Sequence, residues 1–247
     1  MIRFSYVFGV LLLCISGSVA RAEGEMEDGF VRLFNGTDLS GWVIPEGDNG
    51  HWQVVDGVID YDASSEAQGD KNLWSENAYR NFILKLDWRI KETSGLYDTP
   101  IVLKDGSYLQ DKDGKNITIK RPNADSGVYL RGTSRAQLNI WCWPIGSGEV
   151  YGYRNRQEDP VVRAAVTPRI NADNPVGEWN TFEIILLENR LTVLLNGKMV
   201  LENSELPDLP EAGRIALQHH GGPNPDGTFK PASSLVQFRN IWIKELP

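Results

Sequence analysis

The sequence predicts an all-β fold, a sandwich or barrel of antiparallel strands. Short segments with strand-like alternation recur along the chain, and turn signals such as Asn196-Gly197 separate them. No convincing amphipathic helix of more than about ten residues interrupts them. The 24 glycines and 13 prolines are typical of a chain with many turns, and 24 aromatic side chains (8 Trp, 8 Tyr, 8 Phe) supply area for a core.

The predicted strands follow one another from residue 51 to the end of the chain. His51–Tyr61 is predicted to be a hairpin that turns at Asp56-Gly57. Further strands are predicted over Asn81–Ile90, Ser126–Arg131, Ala136–Trp143, Trp179–Glu188, Arg190–Asn196, Met199–Leu201, Gly213–His220 and Leu235–Lys244. Residues 97–123 are predicted to form an inserted hairpin or lid, and residues 221–234 a long loop, within a single domain spanning residues 23–247.

The first 22 residues have the pattern of a signal peptide. Arg3 precedes an apolar run, Val7–Ile15, and Ala20-Arg21-Ala22 is a small-x-small cleavage site. Because the run is too short to span a bilayer, we expect cleavage after Ala22 and a secreted or periplasmic protein with no membrane association afterwards.

The charge and the cysteines restrict the partners. Cleavage would remove Arg3 and Arg21 but no acidic residue, so the net charge of −8 would become −10. An acidic chain without a basic cluster argues against a nucleic-acid partner and suits a neutral ligand. Cys142 would be the remaining cysteine, which rules out an internal disulfide; a small core residue is the expected role for it.

The stretch from Gln137 to Trp143 is the most informative part of the chain. Its alternation puts Leu138, Ile140 and Cys142 on one face, and the opposite face carries Gln137, Asn139, Trp141 and Trp143. Amides bond hydroxyl groups, and indoles stack on the apolar faces of pyranose rings, so this face is typical of a carbohydrate-binding surface. The alternative is a strand buried on both faces, with the tryptophans in a second core.

Several other side chains are candidates for chemistry. His220 ends a strand whose polar face also carries Gln218, and a histidine there is suited to general acid or base catalysis or, alternatively, to bonding a loop carbonyl. Asp87 and Arg89 share the polar face of one strand, either in a binding groove or as a surface ion pair.

Three more residues complete the candidate site. Arg131 is suited to bonding a carbonyl or a developing enolate, or to pairing with a structural carboxylate. Glu149 and Tyr151 are predicted to extend the surface of the tryptophan strand, or to lie on an edge strand. The paired-carboxylate strand motif of retaining glucanases is absent from the sequence.

Eight segments, in order along the chain, resemble the 3-keto-disaccharide hydrolase domain family. They are Phe30–Trp42, Leu73–Ser75, Leu86–Arg89, Asp125–Gly132, Gly177–Asn180, Leu195–Gly197, Leu217–Gly221 and Phe238–Lys244. The resemblance implies a concanavalin-like jelly roll of two curved antiparallel sheets, with a ligand groove on the concave sheet. Residues 97–123 are longer than the family pattern suggests, and the Trp-Cys-Trp strand also departs from it.

The resemblance further implies cleavage of 3-keto-glycosides. A ketone at C3 acidifies the C2 proton, so a base can form an enolate and the C1 substituent can leave; water can then add to give net hydrolysis. His220 or Asp87 is the expected base, and Arg131 or a divalent cation the expected enolate partner. No metal-ligating residues are predicted. A glycan-binding, lectin-like module without catalysis is the alternative function.

Overall fold

Two antiparallel sheets form the protein, in a computed structural model that describes residues 29–156 and 159–247. The strands are β1 (Val31–Arg32), β2 (Trp42–Val43), β3 (Trp52–Val55), β4 (Val58–Tyr61), β5 (Leu73–Tyr79), β6 (Phe82–Ile90), β7 (Leu96–Pro100), β8 (Thr118–Pro122), β9 (Asp125–Leu130), β10 (Thr133–Trp141), β11 (Asn180–Leu187), β12 (Arg190–Leu195), β13 (Lys198–Glu205), β14 (Gly213–Leu217) and β15 (Val236–Glu245). The helices are α1 (Tyr151–Arg156) and α2 (Pro160–Ala165). The predicted signal peptide lies outside the described residues.

The sheets have eight and five strands. The larger runs β13-β12-β11-β6-β15-β4-β3, with β1 also paired to β15, and the smaller runs β10-β9-β14-β5-β2. The pair β7-β8 forms the base of the predicted insert, which is a hairpin. The predicted fold class, a concanavalin-like jelly-roll sandwich, is confirmed.

The two strongest turn signals form hairpin turns at the positions they predicted. Asp56-Gly57 connects β3 to β4, and Asn196-Gly197 connects β12 to β13. All four residues have positive φ, between 51° and 77°. This is the backbone conformation that a two-residue type I′ turn requires and that Asn, Asp and Gly adopt at the lowest cost.

The core lies between the sheets and is built from the inward residues of each strand. Leu84, Leu86 and Trp88 of β6 face Leu138 and Ile140 of β10 across one continuous hydrophobic cluster. Each sheet therefore has an outer face made of the alternate residues. The outer face of the larger sheet carries Asp87 and Arg89, and that of the smaller sheet carries Gln137 and Asn139.

Candidate functional site

A cavity of about 370 Å³ opens on the outer face of the five-stranded sheet. The floor of the cavity includes Gln137 and Asn139 of β10 and Gln218, which follows β14. The predicted base His220 and the two tryptophans also line it. The structure thus brings together seven of the predicted site residues on one surface, one of which, Tyr151, comes from the start of α1.

The three amides of the cavity form one hydrogen-bonded chain. Gln137 Nε2 donates to Asn139 Oδ1 over 2.5 Å and to Gln218 Oε1 over 2.7 Å. To reach Gln218, the Gln137 side chain crosses the strand between them at Gly127. A Cβ at Gly127 would lie 2.7 Å from the Leu138 carbonyl oxygen and 2.9 Å from Gln137 Cγ, so only glycine leaves room for this crossing.

His220 is held so that one ring nitrogen is committed and the other is not. Its Nδ1 lies 2.7 Å from the carbonyl oxygen of Ala232, and its backbone N–H donates to Ser234 Oγ. Because a carbonyl accepts but cannot donate, Nδ1 carries a proton, and in the neutral ring Nε2 is the basic nitrogen. This is the arrangement that a general base needs.

Asp125 is a site residue that the sequence reasoning missed. It begins β9 opposite Trp141, and its Oδ1 is buried without a hydrogen-bond partner in the cavity wall. Burial, together with the negative charge of nearby Glu149, raises the pKa of Asp125 well above its ordinary value. A carboxyl group that holds its proton more tightly than usual is suited to act as a hydrogen-bond donor or general acid.

Glu149 does not extend the tryptophan surface, so that prediction is wrong. The chain turns into α1 after it, and the side chain is fully buried beside Arg154, with Oε1 2.7 Å from Nε but outside hydrogen-bond geometry. Burial raises the pKa of Glu149 to about 7, although the Arg154 guanidinium acts in the opposite direction. Glu149 therefore acts on the cavity through its charge rather than through contact.

β10 is buried on both faces as far as its last residue, Trp141, whereas Trp143, beyond the end of the strand, is half-buried. Trp141 is 3% exposed, because Trp143 stacks on it with ring centroids 4.0 Å apart. The Nε1–H of Trp141 donates to the Gly146 carbonyl. The burial matches the alternative, a second core, yet both indoles also line the cavity. Tyr97 of the insert reaches the same cavity, so the insert contributes to its wall.

Asp87 and Arg89 lie on the opposite side of the sandwich and cannot share a site with His220. Asp87 accepts hydrogen bonds from Thr181 and Asn240, and Arg239 Nε lies 3.3 Å from its Oδ2. Arg89 donates to Gln237 and packs on the Trp179 ring. The strand's alternation was predicted correctly, but its polar face belongs to the larger sheet, and Asp87 is not placed to be the base.

Arg131 is also corrected to a structural role. It stands in the turn between β9 and β10 and donates to the carbonyl oxygens of Arg80 and Pro210 and to Asn81 Oδ1. Desolvation lowers the pKa of its guanidinium, with Arg80 as a smaller cause. With its donors committed to these acceptors away from the cavity, it cannot stabilise an enolate there.

Metal-ligating side chains do not cluster in the part of the chain that the structure describes. Among residues 29–156 and 159–247, no three His, Cys, Asp or Glu side chains come together as a metal site. The expected divalent cation therefore has no such ligand set here. In the same residues, no helix is long and apolar enough to cross a membrane.

The family follows from a match that spans almost the whole described chain. A family model described as the 3-keto-alpha-glucoside-1,2-lyase-like domain matches residues 29–244. The chain belongs to this family. Membership supports a carbohydrate-active role, in agreement with the amide and indole side chains of the cavity. No curated protein sequence matches the chain significantly.

Solved structures share the fold. Three crystal structures of proposed glycosyl hydrolases from Parabacteroides distasonis are similar, with TM-scores of 0.57, 0.55 and 0.51 and identities of 21%, 19% and 21%. The alignments cover 89%, 89% and 88% of this chain and 84%, 95% and 99% of those chains. At these identities the likeness establishes the architecture, and the chemistry depends on the residues of the cavity.

Proposed function

We propose that the protein cleaves 3-keto-glycosides in the cavity of the five-stranded sheet. The observation that carries the proposal is the pairing, in one cavity, of His220 with Nδ1 bound to a carbonyl and Asp125 with a buried, unpartnered carboxyl oxygen. One group is suited to accept a proton and the other to donate one. The reaction at a keto-sugar needs both.

The first step is removal of the C2 proton. His220 takes this proton through Nε2, and the C2–H electron pair forms the enolate, with the negative charge on the C3 oxygen. Gln137 uses both of its N–H groups within the amide chain, so Asn139 Nδ2 and the second N–H of Gln218 Nε2 are the amide donors left for the sugar hydroxyls and the C3 oxygen. These hydrogen bonds stabilise the negative charge as it develops on the C3 oxygen.

The second step breaks the bond from C1 to the leaving oxygen. The enolate electrons return to form the C1–C2 double bond and the C3 ketone, and the leaving oxygen takes a proton from the Asp125 carboxyl. Water can then add its oxygen to C1 and give its proton to the Asp125 carboxylate, while His220 returns the first proton to C2; this gives net hydrolysis and restores both groups. The cavity thus needs one base and one acid, in agreement with the absence of a glucanase carboxylate pair.

The experiment compares a 3-keto-glucoside with its parent glucoside. The proposal predicts aglycone release from the keto sugar alone, since only the ketone acidifies the C2 proton. Saturable binding of both sugars without release from either, at any pH between 5 and 9, would contradict it and favour the lectin-like alternative.

We also propose that the chain is exported. The support is the pattern of residues 1–22 in the sequence. Expression of the full chain in a bacterial host should give a mature N-terminus at Glu23 in the periplasm or medium. An unprocessed chain in the cytoplasm would contradict the proposal.

A further inference from the structure

The hydroxyl of Ser234 lies between the two residues to which the proposed function assigns the proton transfers. Ser234 ends the long loop of residues 221–234 and is fully buried. Its Oγ accepts the backbone N–H of His220 over 2.8 Å and donates to the backbone carbonyl of Asp125 over 2.7 Å. The Gln218 carbonyl, 3.3 Å away, is a second and longer acceptor. One buried oxygen thus joins the main chain of the base to the main chain of the acid.

The two residues joined in this way are held differently by the fold. Asp125 begins β9, and the pairing of β9 with β10 fixes it opposite Trp141. His220 belongs to no strand, since β14 ends at Leu217 and the chain continues from there into the loop. Because loops are more mobile than paired strands, the Ser234 hydroxyl ties the base to the strand rather than the strand to the base.

The loop closes on His220 through two further contacts. The backbone N–H of Ser234 donates to the His220 carbonyl over 3.0 Å, so the two residues are joined in both directions. Ala232 has a φ of 61°, in the left-handed region that non-glycine residues seldom adopt, and its carbonyl oxygen lies 2.7 Å from His220 Nδ1. A backbone of this kind persists only where its surroundings hold it, and the bonds of Ser234 are such a restraint.

We infer that Ser234 is a positioning residue for the base: its hydroxyl fixes the loop on β9, so that the Ala232 carbonyl keeps a proton on His220 Nδ1 and Nε2 can accept the C2 proton. This inference rests on the proposed function. Without the hydroxyl the Ala232 carbonyl can move away, and the neutral ring can then carry its proton on either nitrogen. A neutral ring with the proton on Nε2 cannot take one from C2 through that nitrogen.

Ser233 provides a matched control in the same loop. It is also fully buried, and its Oγ accepts the Gly222 N–H over 2.9 Å and donates to the Lys230 carbonyl over 2.8 Å, so these bonds stay within the loop. Ser233→Ala and Ser234→Ala therefore remove hydroxyls of similar burial and bonding, of which that of Ser234 holds the base. Ser234→Cys keeps the volume of the side chain but has only a weakly bonding thiol, and it replaces Ser234→Ala if the smaller side chain prevents folding.

The direct test determines the tautomer of His220 by ¹⁵N NMR without substrate. Long-range ¹H–¹⁵N spectra are recorded at about pH 8.5, above the ordinary pKa of histidine, and His220→Gln assigns the signals. The wild type and Ser233→Ala should show the Nδ1–H tautomer alone. Ser234→Ala and Ser234→Cys should show nitrogen shifts averaged between the two tautomers. The Nδ1–H tautomer alone in both Ser234 variants would overturn the inference.

Kinetics on methyl 3-keto-glucoside separate positioning from a general loss of stability. In Ser234→Ala, kcat should fall about tenfold, the scale of a displaced catalytic group, with KM within about twofold, because proton removal is impaired and sugar binding is not. Combined with His220→Gln, Ser234→Ala should lower the residual kcat by less than about twofold, since no base is left to position. An equal loss in both backgrounds would mean a structural role and would overturn the inference.

Failure of the proposed function gives a different result. A wild type that releases no aglycone while its His220 ring shows the Nδ1–H tautomer would refute the proposed function. The tautomers of Ser234→Ala and Ser233→Ala would still decide whether Ser234 positions the ring. A wild-type ring with its proton on Nε2 would overturn both.

Discussion

The two outer faces of the sandwich carry similar polar side chains in very different states. On the larger sheet, both oxygens of Asp87 are occupied, one by Thr181 and the other by Asn240 and Arg239. On the smaller sheet, Asp125 Oδ1 is buried and unpaired, and Nε2 of His220 has no partner among the residues that the structure describes. Polar groups whose bonding capacity is used within the fold stabilise it, whereas groups left with unused capacity in a cavity can act on a ligand.

The largest expected effect is a difference in kcat between two variants, one with a substitution on each outer face. His220→Gln should lower kcat for a 3-keto-glucoside by about 10²–10⁴-fold, the usual contribution of a general base. Asp87→Asn removes a carboxylate from the opposite face and should leave kcat within about twofold. Steady-state aglycone release by the two purified variants checks the comparison, and a large loss in Asp87→Asn would reverse the assignment of the faces.

The second prediction concerns the acid. Asp125→Asn preserves the shape of the side chain but cannot donate a proton to the leaving oxygen, so kcat should fall about 10²-fold. The melting temperature should change little, because one buried, neutral polar group without a partner is replaced by another of the same shape. A marked fall in melting temperature with full activity would show that Asp125 stabilises the fold and does not catalyse.

The third prediction tests the crossing of Gln137 over Gly127. A Cβ at Gly127 would meet Leu138 O and Gln137 Cγ at 2.7 and 2.9 Å, so Gly127→Ala should displace the amide. We expect kcat/KM to fall about tenfold, and the free energy of unfolding by about 1–3 kcal/mol, as for other overpacked sites. Gly197→Ala, at a hairpin turn remote from the cavity, should affect stability alone; kinetics and thermal unfolding of both variants provide the check.

The smallest expected effect is a pH dependence of the protein's stability that arises from the buried Glu149 carboxyl. The pKa of Glu149 is raised to about 7 in the folded protein, so the folded state holds this proton to a higher pH than the unfolded chain. The group's contribution to stability is therefore fullest below about pH 4.5 and is lost as the pH rises towards 7, at about 1.4 kcal/mol for each unit.

Unfolding by urea between pH 4 and 8 checks this prediction against Glu149→Gln. The difference in free energy of unfolding between the wild type and the variant should shrink as the pH rises to 7 and then stay constant. A wild-type advantage that grows with pH would mean that the Arg154 ion pair dominates over burial.

Local patterns predicted the elements of the fold, while the site depended on how distant strands pair. Asp56-Gly57 and Asn196-Gly197 determine their turns through their own backbone preferences, so they could be predicted from the sequence. Alternation showed correctly that Asp87 faces outward. Which outer face it occupies depends on the strand order β11-β6-β15, and no local pattern encodes that order.

The dependence on strand pairing also explains why Asp125 was not predicted as a site residue. The Asp-Ser-Gly-Val-Tyr segment resembles the family pattern, but the register that sets Asp125 opposite Trp141 arises from β9 pairing with β10. The usable signal was an acidic residue on the face of a buried strand shared with Gly127, because such a carboxyl must either be paired or be functional. His220 was predicted as the last residue of a strand, but that strand ends at Leu217 and His220 lies in the loop that follows.

The central claim is that His220 removes the C2 proton of a 3-keto-glycoside in the cavity of the smaller sheet. The most direct measurement is the exchange of that proton with solvent in D₂O, followed by proton NMR on the methyl 3-keto-glucoside. The account predicts loss of the C2 signal with the wild type and with Asp87→Asn, and a rate lower by about 10²-fold or more with His220→Gln. Exchange by His220→Gln at the wild-type rate, or aglycone release by the wild type without labilising C2, would contradict it.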